Sequence, residues 1–186
     1  MRLYFFGGTF NPPHIGHYSI VKHCLDKCDK LIVIPNNTPV NKNPIEVSSK
    51  HRLNMLKILF SDLDIIIDDY EIKSLKKNYT FHTIEYLLEK YSNFKISMVI
   101  GNDQALDFHN WYRNDDIKNM VDVLCFNRKV SINKSKIDGF KYIPNFHIDV
   151  SSTKIRRSLK DLNHIAIQKY IDPRVFDYIR KNGLYV

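Results

Sequence analysis

Short apolar runs alternate with helical patterns along the chain, and this alternation constrains the fold more than any other feature of the sequence. Strands separated by helices of about 10–15 residues are typical of βαβ units. We therefore expect an α/β protein, a single domain spanning residues 1–186, with a mostly parallel sheet and helices on both faces. The predicted strands are Arg2–Phe6, Leu31–Ile34, Asp64–Asp68, Lys95–Ile100, Val121–Asn127 and Phe146–Val150. The predicted helices are His17–Cys28, Ser49–Phe60, Thr80–Tyr91, Ser152–Leu159 and Pro173–Lys181, the last with Asp172 as its N-cap.

Unusual residues follow three of the predicted strands. Gly7 and Gly8 come after the first strand, Gly101 follows Ile100, and the pair Ser151-Ser152 follows the last strand. In open parallel sheets, ligands bind beyond the carboxyl ends of the strands. The sequence thus predicts a ligand-binding protein or an enzyme whose site lies at one edge of the sheet.

The segment from Gly7 to His17 reads GGTFNPPHIGH. Glycines let the backbone approach a ligand closely, and a helix N-terminus binds anions. His14 and His17 are three residues apart at the start of a helix, so both rings can face the same way. The segment lacks the ending of a P-loop and the spacing of a dinucleotide fingerprint. It predicts a hydrogen-bonding clamp for phosphate oxygens.

The composition fits one domain with a sizeable core: 186 residues, 44% of them hydrophobic, with a formal net charge of +8. A basic balance fits a partner that carries phosphates, and it equally fits a charge that only serves solubility. The lysines are scattered, so we expect no nucleic-acid partner. The irregular stretch Pro35–Ser48 is interpreted either as a binding loop or as an exposed connector.

The low, odd count of three cysteines argues for a reducing compartment. Cys24 and Cys28 share the apolar stripe of a predicted helix, which indicates core packing rather than a zinc site. No secretory signal is visible, and no stretch approaches the roughly 18 apolar residues of a membrane span. We expect a soluble, cytoplasmic protein with no membrane partner. The oligomeric state stays open, a homo-oligomer included.

Two motifs at opposite ends of the chain resemble those of one superfamily. HIGH at His14–His17 resembles the signature of the HxGH nucleotidyltransferases, and VSSTKIR at Val150–Arg156 resembles the ISSTxIR motif of its small members. The second motif has a physical meaning, because free N–H groups at a helix N-terminus and an arginine one turn later can hold phosphates. The resemblance of the two motifs implies a Rossmann-like nucleotidyltransferase fold.

Further segments resemble the bacterial-type nicotinate (or nicotinamide) mononucleotide adenylyltransferases, in the right order and over essentially the whole chain. They are IPNNTPVNK, HRLNML, DDYEI, YTFHT, IGNDQ followed by WYR, and DPRVFDYIRKNGLYV. The chain departs from that pattern at Asn11, Val40-Asn41, Asn78 and Asn102. None of these departures removes a charged catalytic group.

The resemblance implies transfer of the AMP moiety of ATP to nicotinate mononucleotide, with release of pyrophosphate. His17 would then contact the α-phosphate and His14 the triphosphate, as the catalytic pair. The implied phosphate-binding residues are Gly8, Thr9, Lys42, Ser152, Thr153 and Arg156. Thr80 and Trp111 would bind the pyridine nucleotide, Gly7, Gly101 and Asp103 the adenosine, and Glu71 and Arg52 would be structural supports. Mg²⁺ would bridge ATP oxygens with few or no protein ligands.

Several alternatives stay open at this point. Nicotinamide mononucleotide could be the preferred substrate, and another small adenylyltransferase, such as the pantetheine-phosphate enzyme, is the nearest rival. A tRNA synthetase fragment would need a KMSKS segment, which the chain lacks. A basic nucleic-acid-binding module would need its basic residues on one face. Trp111 could also be an ordinary surface aromatic residue.

Overall fold

A computed structural model of the chain describes residues 1–37, 47–74, 77–126, 139–143, 146, 150–161 and 167–186. Within these residues, six strands form one sheet in the order β3-β2-β1-β4-β5-β6, and every neighbouring pair is parallel. The strands are β1 (Arg2–Gly8), β2 (Lys30–Pro35), β3 (Ile66–Ile67), β4 (Lys95–Gly101), β5 (Asp122–Phe126) and β6 (Phe140–Ile143). The predicted α/β class is confirmed.

Helices cover both faces of this sheet. They are α1 (Ile15–Leu25), α2 (Ser49–Leu59), α3 (Tyr70–Lys73), α4 (Thr80–Lys90), α5 (Asn102–Leu106), α6 (Asn114–Met120), α7 (Ser152–Lys160) and α8 (Pro173–Lys181), with a short 3₁₀ helix at Phe108–Asn110. Asp172 caps α8 through its side chain, as predicted, and Pro173 is the first helical residue.

The central strands are apolar on both sides because both faces are packed. In β1, Phe6 joins a core with α1, α2, α7 and α8, whereas Leu3 and Phe5 join a second core with α4, α5 and α6. Cys24 lies in the first core, which confirms its predicted packing role. No helix in the described part of the chain is long and apolar enough to cross a membrane.

Element boundaries differ from the predictions in several places. The first helix runs over Ile15–Leu25 rather than His17–Cys28, because His14 provides an N-cap three residues before the predicted start. The strand predicted at Asp64–Asp68 shrinks to Ile66–Ile67, since only these residues pair with β2. Of the strand predicted at Phe146–Val150, residues 147–149 lie outside the described residues.

The predictions do not include five of the described elements: β6, the helices α3, α5 and α6, and the 3₁₀ helix Phe108–Asn110. Each of these elements is short. The helices α5 and α6 bury only Ala105 and Ile117 respectively, so their sequences contain no helical period of apolar residues that would predict them.

The strand order reverses between β1 and β4, where crossover connections leave toward opposite edges of the sheet. Phe6 pairs with Val99 in this ladder, so Gly7 and Gly8 emerge beside Ile100 and Gly101. This reversal point is where open α/β sheets bind ligands.

Candidate active site

The loop between β1 and α1 holds two histidines by hydrogen bonds to its own backbone. His14 is the N-cap of α1, and its Nδ1 accepts from the Gly16 N–H at 3.1 Å. The Nδ1 of His17 accepts from the His14 N–H at 3.2 Å, which completes a capping box made of two imidazoles. Since both Nδ1 atoms are acceptors, each neutral ring carries its proton on Nε2.

The two imidazole rings stack, with centroids 3.7 Å apart and planes inclined by 26°. Phe10 packs edge-on against His17 at 4.9 Å, and its backbone has φ +50°, which a non-glycine residue adopts only under constraint. Gly16 lets the rings approach the helix, because a Cβ there would lie 3.0 Å from the His14 ring. The pair is fixed before any ligand arrives.

The N-terminus of α7 packs directly against this loop. Ser152 donates its hydroxyl to the Pro12 carbonyl oxygen at 2.9 Å, and Arg156 donates to the Asn11 carbonyl oxygen at 2.7 Å. A Cβ on Gly16 would also lie 2.9 Å from Val150. The two motifs predicted to bind phosphate, about 140 residues apart in the chain, therefore form one structure.

A serine side chain caps the start of α7. The Ser151 hydroxyl accepts from the Lys154 N–H at 3.2 Å. Arg156 also donates to the Thr153 hydroxyl at 3.3 Å, so its guanidinium lies over the helix start. Backbone donors, hydroxyls and a guanidinium at one helix tip make a site suited to anions.

A cavity of about 590 Å³ opens at the reversal point of the sheet. Five residues predicted to bind the substrates line this cavity: Gly7, Gly8, Thr9, Thr80 and Trp111. Asp103 lines it too, so Gly7 and Asp103, predicted to bind adenosine, share this cavity with the predicted pyridine-binding residues. Gly101 is not among the lining residues; it is the N-cap of α5. Lys42 lies outside the described residues.

The cavity wall also contains polar residues that sequence reasoning did not assign. They are Asn36, Asn78, Tyr79, Gln104, Asp107, Asn110 and Tyr112, and Glu71, predicted to be a structural support, lines the cavity as well. Asn36 donates to the Thr9 hydroxyl at 3.2 Å, which leaves that hydroxyl's own proton to be donated elsewhere. The position of Asn36 one residue after β2, at the same sheet edge as Gly8, is the signal that could have identified it.

Aromatic side chains surround the far end of the cavity. Trp111 packs at 5.1 Å against buried Phe108, with the rings tilted by 38°. Tyr79 contacts Tyr112 with ring centroids 4.7 Å apart, and this contact joins the segment before α4 to the one before α6. These contacts hold Trp111 where one face of its indole can meet a planar ligand.

Two residues from distant parts of the chain, Arg52 and Tyr185, donate hydrogen bonds to the first loop. Arg52, 1% exposed, donates to the Thr9 carbonyl oxygen and to the Asn37 carbonyl oxygen, both at 2.7 Å. Burial lowers the pKa of its guanidinium, which stays charged at neutral pH. Tyr185, near the end of the chain, donates its hydroxyl to Asn11 Oδ1 at 2.6 Å.

Glu71 is the one acidic group in the cavity wall with a strongly displaced pKa. Burial raises the pKa of its carboxyl group to about 7, and a hydrogen bond from the Thr83 hydroxyl acts in the opposite direction. Thr83 Oγ1 lies 2.6 Å from Glu71 Oε1.

Fold and site together define an α/β protein of the nucleotide-binding type, in which the starts of α1 and α7 pack together and Gly7, Gly8 and Thr9 line a cavity at the reversal point of the sheet. The cytidylyltransferase-like family profile matches residues 5–158. The chain is 35% identical to the probable nicotinate-nucleotide adenylyltransferase of Aliarcobacter butzleri, an alignment that covers 98% of this chain and 100% of the relative. It is 37% identical to the probable nicotinate-nucleotide adenylyltransferase of Borreliella afzelii, over 100% and 97%.

Among solved structures, the fold is similar to that of Plasmodium falciparum nicotinic acid mononucleotide adenylyltransferase complexed with NaAD. The TM-score is 0.82 at 22% identity, and the match covers 99% of this chain and 97% of that one. The chain belongs to the cytidylyltransferase-like family, within the group formed by its nicotinate-nucleotide adenylyltransferase relatives.

Proposed function

We propose that this chain transfers the AMP moiety of ATP to nicotinate mononucleotide, forming nicotinate adenine dinucleotide and pyrophosphate. The observation that carries the proposal is the junction of the two phosphate-binding motifs, made by the bonds from Ser152 and Arg156 to the loop of His14 and His17. Gly7, Gly8 and Thr9, at the start of the same loop, line a cavity large enough for a nucleotide, although His14, His17, Ser152, Thr153 and Arg156 are not among its lining residues. Relatives at 31–37% identity that carry the adenylyltransferase name support the same reaction.

Catalysis in this proposal rests on orientation and charge stabilisation. The 5′-phosphate of the mononucleotide attacks the α-phosphorus of ATP, and pyrophosphate leaves in line. A phosphate monoester is already an anion near neutral pH, so no strong general base is required. In-line positioning of both nucleotides contributes up to about 7–11 kcal/mol, and each well-placed donor to the developing charge about 2.7–4 kcal/mol.

In this proposal, residues of the first loop and of α7 bind different phosphate groups of ATP. His17 donates from Nε2 to the α-phosphate in the transition state, and His14 does the same to the triphosphate. Gly8 and Thr9 donate to phosphate from the end of β1, and Lys42 adds charge. Ser152, Thr153 and Arg156 hold the β- and γ-phosphates. Gly7, Gly101 and Asp103 contact the adenosine.

Mg²⁺ bound to ATP would neutralise phosphate charge and bridge phosphate oxygens. Among the residues that the structure describes, no group of three or more His, Cys, Asp or Glu side chains is arranged to hold a metal ion. Phosphate oxygens and water would supply most of the ligands of a cation that keeps its waters at nucleotide sites.

The pyridine ring stacks on Trp111, and Thr80 with its neighbouring backbone contacts the carboxylate of the ring. Trp111 and Thr80 line one cavity, as this assignment requires. The segment Asn78–Thr80 is tied to the end of β2, since the Asn37 N–H donates to Asn78 Oδ1 at 3.2 Å. Nicotinamide mononucleotide is the alternative substrate, because only one carboxylate or amide distinguishes the two.

Pyrophosphate release from ATP tests the proposal, with nicotinate mononucleotide, nicotinamide mononucleotide or 4′-phosphopantetheine as the acceptor. We expect the highest kcat/KM with nicotinate mononucleotide and no release with 4′-phosphopantetheine. Release with 4′-phosphopantetheine alone would overturn the proposal in favour of the pantetheine-phosphate reaction.

A further inference from the structure

Glu71 is a buried carboxyl group in the cavity wall to which the proposed reaction gives no chemical task. It is 7% exposed, and it lines the cavity together with Asn78, Tyr79 and Thr80. Buried carboxylates ordinarily have a cationic partner, because an unpaired charge is costly to remove from water. In the described ranges, no Lys, Arg or His side chain lies within ion-pair distance of Glu71.

Two hydrogen bonds fix Glu71 against the segment that would contact the pyridine substituent. Its carboxyl oxygen Oε1 accepts from the Thr83 hydroxyl at 2.6 Å, and its backbone oxygen accepts from the Asn78 side chain at 3.0 Å. Thr83 and Thr80 are three residues apart in α4 and share one face of the helix. The carboxyl group of Glu71 is therefore held on the same side of α4 as Thr80.

Both charge states of Glu71 are populated near neutral pH, since burial raises its pKa to about 7. Residues 31–35 of β2, the strand that packs against α3, are all apolar. Asp68, just before α3, is bonded to Lys90. The other titratable groups on its own helix are Tyr70 and Lys73, and Tyr79, Asp103, Asp107 and Tyr112 line the same cavity.

We infer that Glu71 determines specificity for the pyridine substituent: the protonated carboxyl group admits the anionic carboxylate of nicotinate, and the ionised group favours the uncharged amide of nicotinamide. This inference rests on the proposed function. Two like charges repel strongly in a cavity with little water. Binding of nicotinate mononucleotide above pH 7 therefore takes one proton from solvent onto Glu71, whereas binding of nicotinamide mononucleotide takes up none.

The first test is the ratio of kcat/KM for nicotinate mononucleotide to kcat/KM for nicotinamide mononucleotide, between about pH 6 and pH 8.5. Both substrates carry the same 5′-phosphate, so its titration cancels in the ratio. We expect the ratio to fall about tenfold or more in the wild type, with a midpoint near the Glu71 pKa of about 7. In Glu71→Gln, which keeps the shape and neutrality of the protonated acid, the ratio should stay flat. Glu85→Gln, at an exposed position on α4, should keep the wild-type profile.

A second variant moves the midpoint without removing the carboxyl group. The hydrogen bond from Thr83 lowers the pKa of Glu71, so Thr83→Val should shift the midpoint of the ratio to higher pH. Calorimetric titration of the wild type in two buffers of different ionisation enthalpy then counts protons. We expect uptake on binding nicotinate mononucleotide at about pH 7.5, in excess of any uptake on binding nicotinamide mononucleotide.

A flat wild-type ratio, or an equal fall in wild type and Glu71→Gln, would overturn the inference, as would equal proton uptake with both mononucleotides. Turnover of both mononucleotides with a pH-independent ratio overturns the inference alone. Absence of turnover with both mononucleotides overturns the proposed function as well.

Discussion

The two ends of the site are constructed differently. The phosphate end consists of Gly7–His17 and the start of α7, where caps and backbone bonds within a few residues fix each group. The pyridine end consists of short elements between residues 70 and 113, held by single side-chain contacts such as Thr83 to Glu71 and Tyr79 to Tyr112. The proposed phosphate end is thus fixed by local caps together with bonds from distant residues to its backbone carbonyl oxygens, whereas the proposed pyridine end is held mainly by side-chain contacts between neighbouring elements.

This contrast predicts two kinds of kinetic effect. Changes at the phosphate end should lower kcat, because those groups act on charge that develops in the transition state. Changes at the pyridine end should chiefly raise the KM of the mononucleotide and leave that of ATP alone. The following predictions test this division, from the largest expected effect to the smallest.

His17→Ala should lower kcat by about 100-fold or more, which is the scale of losing one charge-stabilising donor. The measurement is pyrophosphate release at saturating ATP and nicotinate mononucleotide. His82→Ala is the matched control, since His82 is an exposed histidine outside the cavity lining, and it should keep wild-type kcat. Unchanged kcat in His17→Ala would contradict the assignment of the α-phosphate to this ring.

The same contrast governs how much could be predicted from sequence. The first loop could be predicted because glycines, histidines and helix starts have local signatures, and the stacked pair at 3.7 Å matches the expectation that both rings face the same way. The place of Glu71 in the cavity wall could not be predicted beyond a supporting role, because it depends on contacts with other elements. Tyr185 bonds to Asn11 across 174 residues, a distance over which no sequence spacing is informative.

Glu71→Gln should change the pH dependence of stability. The pKa of Glu71 is raised from 4.5 to about 7, so the folded state binds the proton more tightly than the unfolded state. Its stabilising contribution is fully present below about pH 4.5 and is lost as pH rises to about 7. Relative to Glu71→Gln, the wild type should therefore lose roughly 3 kcal/mol of unfolding free energy across this window.

Urea unfolding at a series of pH values measures this difference, and groups that titrate equally in both proteins cancel from it. A difference that stays constant with pH would show that Glu71 keeps its ordinary pKa in the folded protein. In that case the charge-state argument for the pyridine end would fail.

Tyr185→Phe should cost about 1–3 kcal/mol of unfolding free energy, because it removes a buried hydrogen bond to Asn11 Oδ1. It should also lower kcat, since the Asn11 carbonyl oxygen accepts from Arg156. Tyr18→Phe is the matched control: the Tyr18 hydroxyl donates to Asp62 over the same 2.6 Å, but at an exposed position. Equal losses of stability in the two variants would mean that burial of the Tyr185 bond adds nothing.

Trp111→Ala should raise the KM for nicotinate mononucleotide about tenfold, the scale of losing one aromatic stacking partner and its buried surface. The KM for ATP should stay unchanged, because the triphosphate is assigned to the loop and to α7. Trp111→Phe keeps an aromatic face against Phe108 and should retain most of the affinity. Steady-state kinetics with each substrate varied in turn measures the two KM values. An equal rise in both KM values would mean that Trp111 supports the whole cavity, and the division between phosphate end and pyridine end would then not hold at this residue.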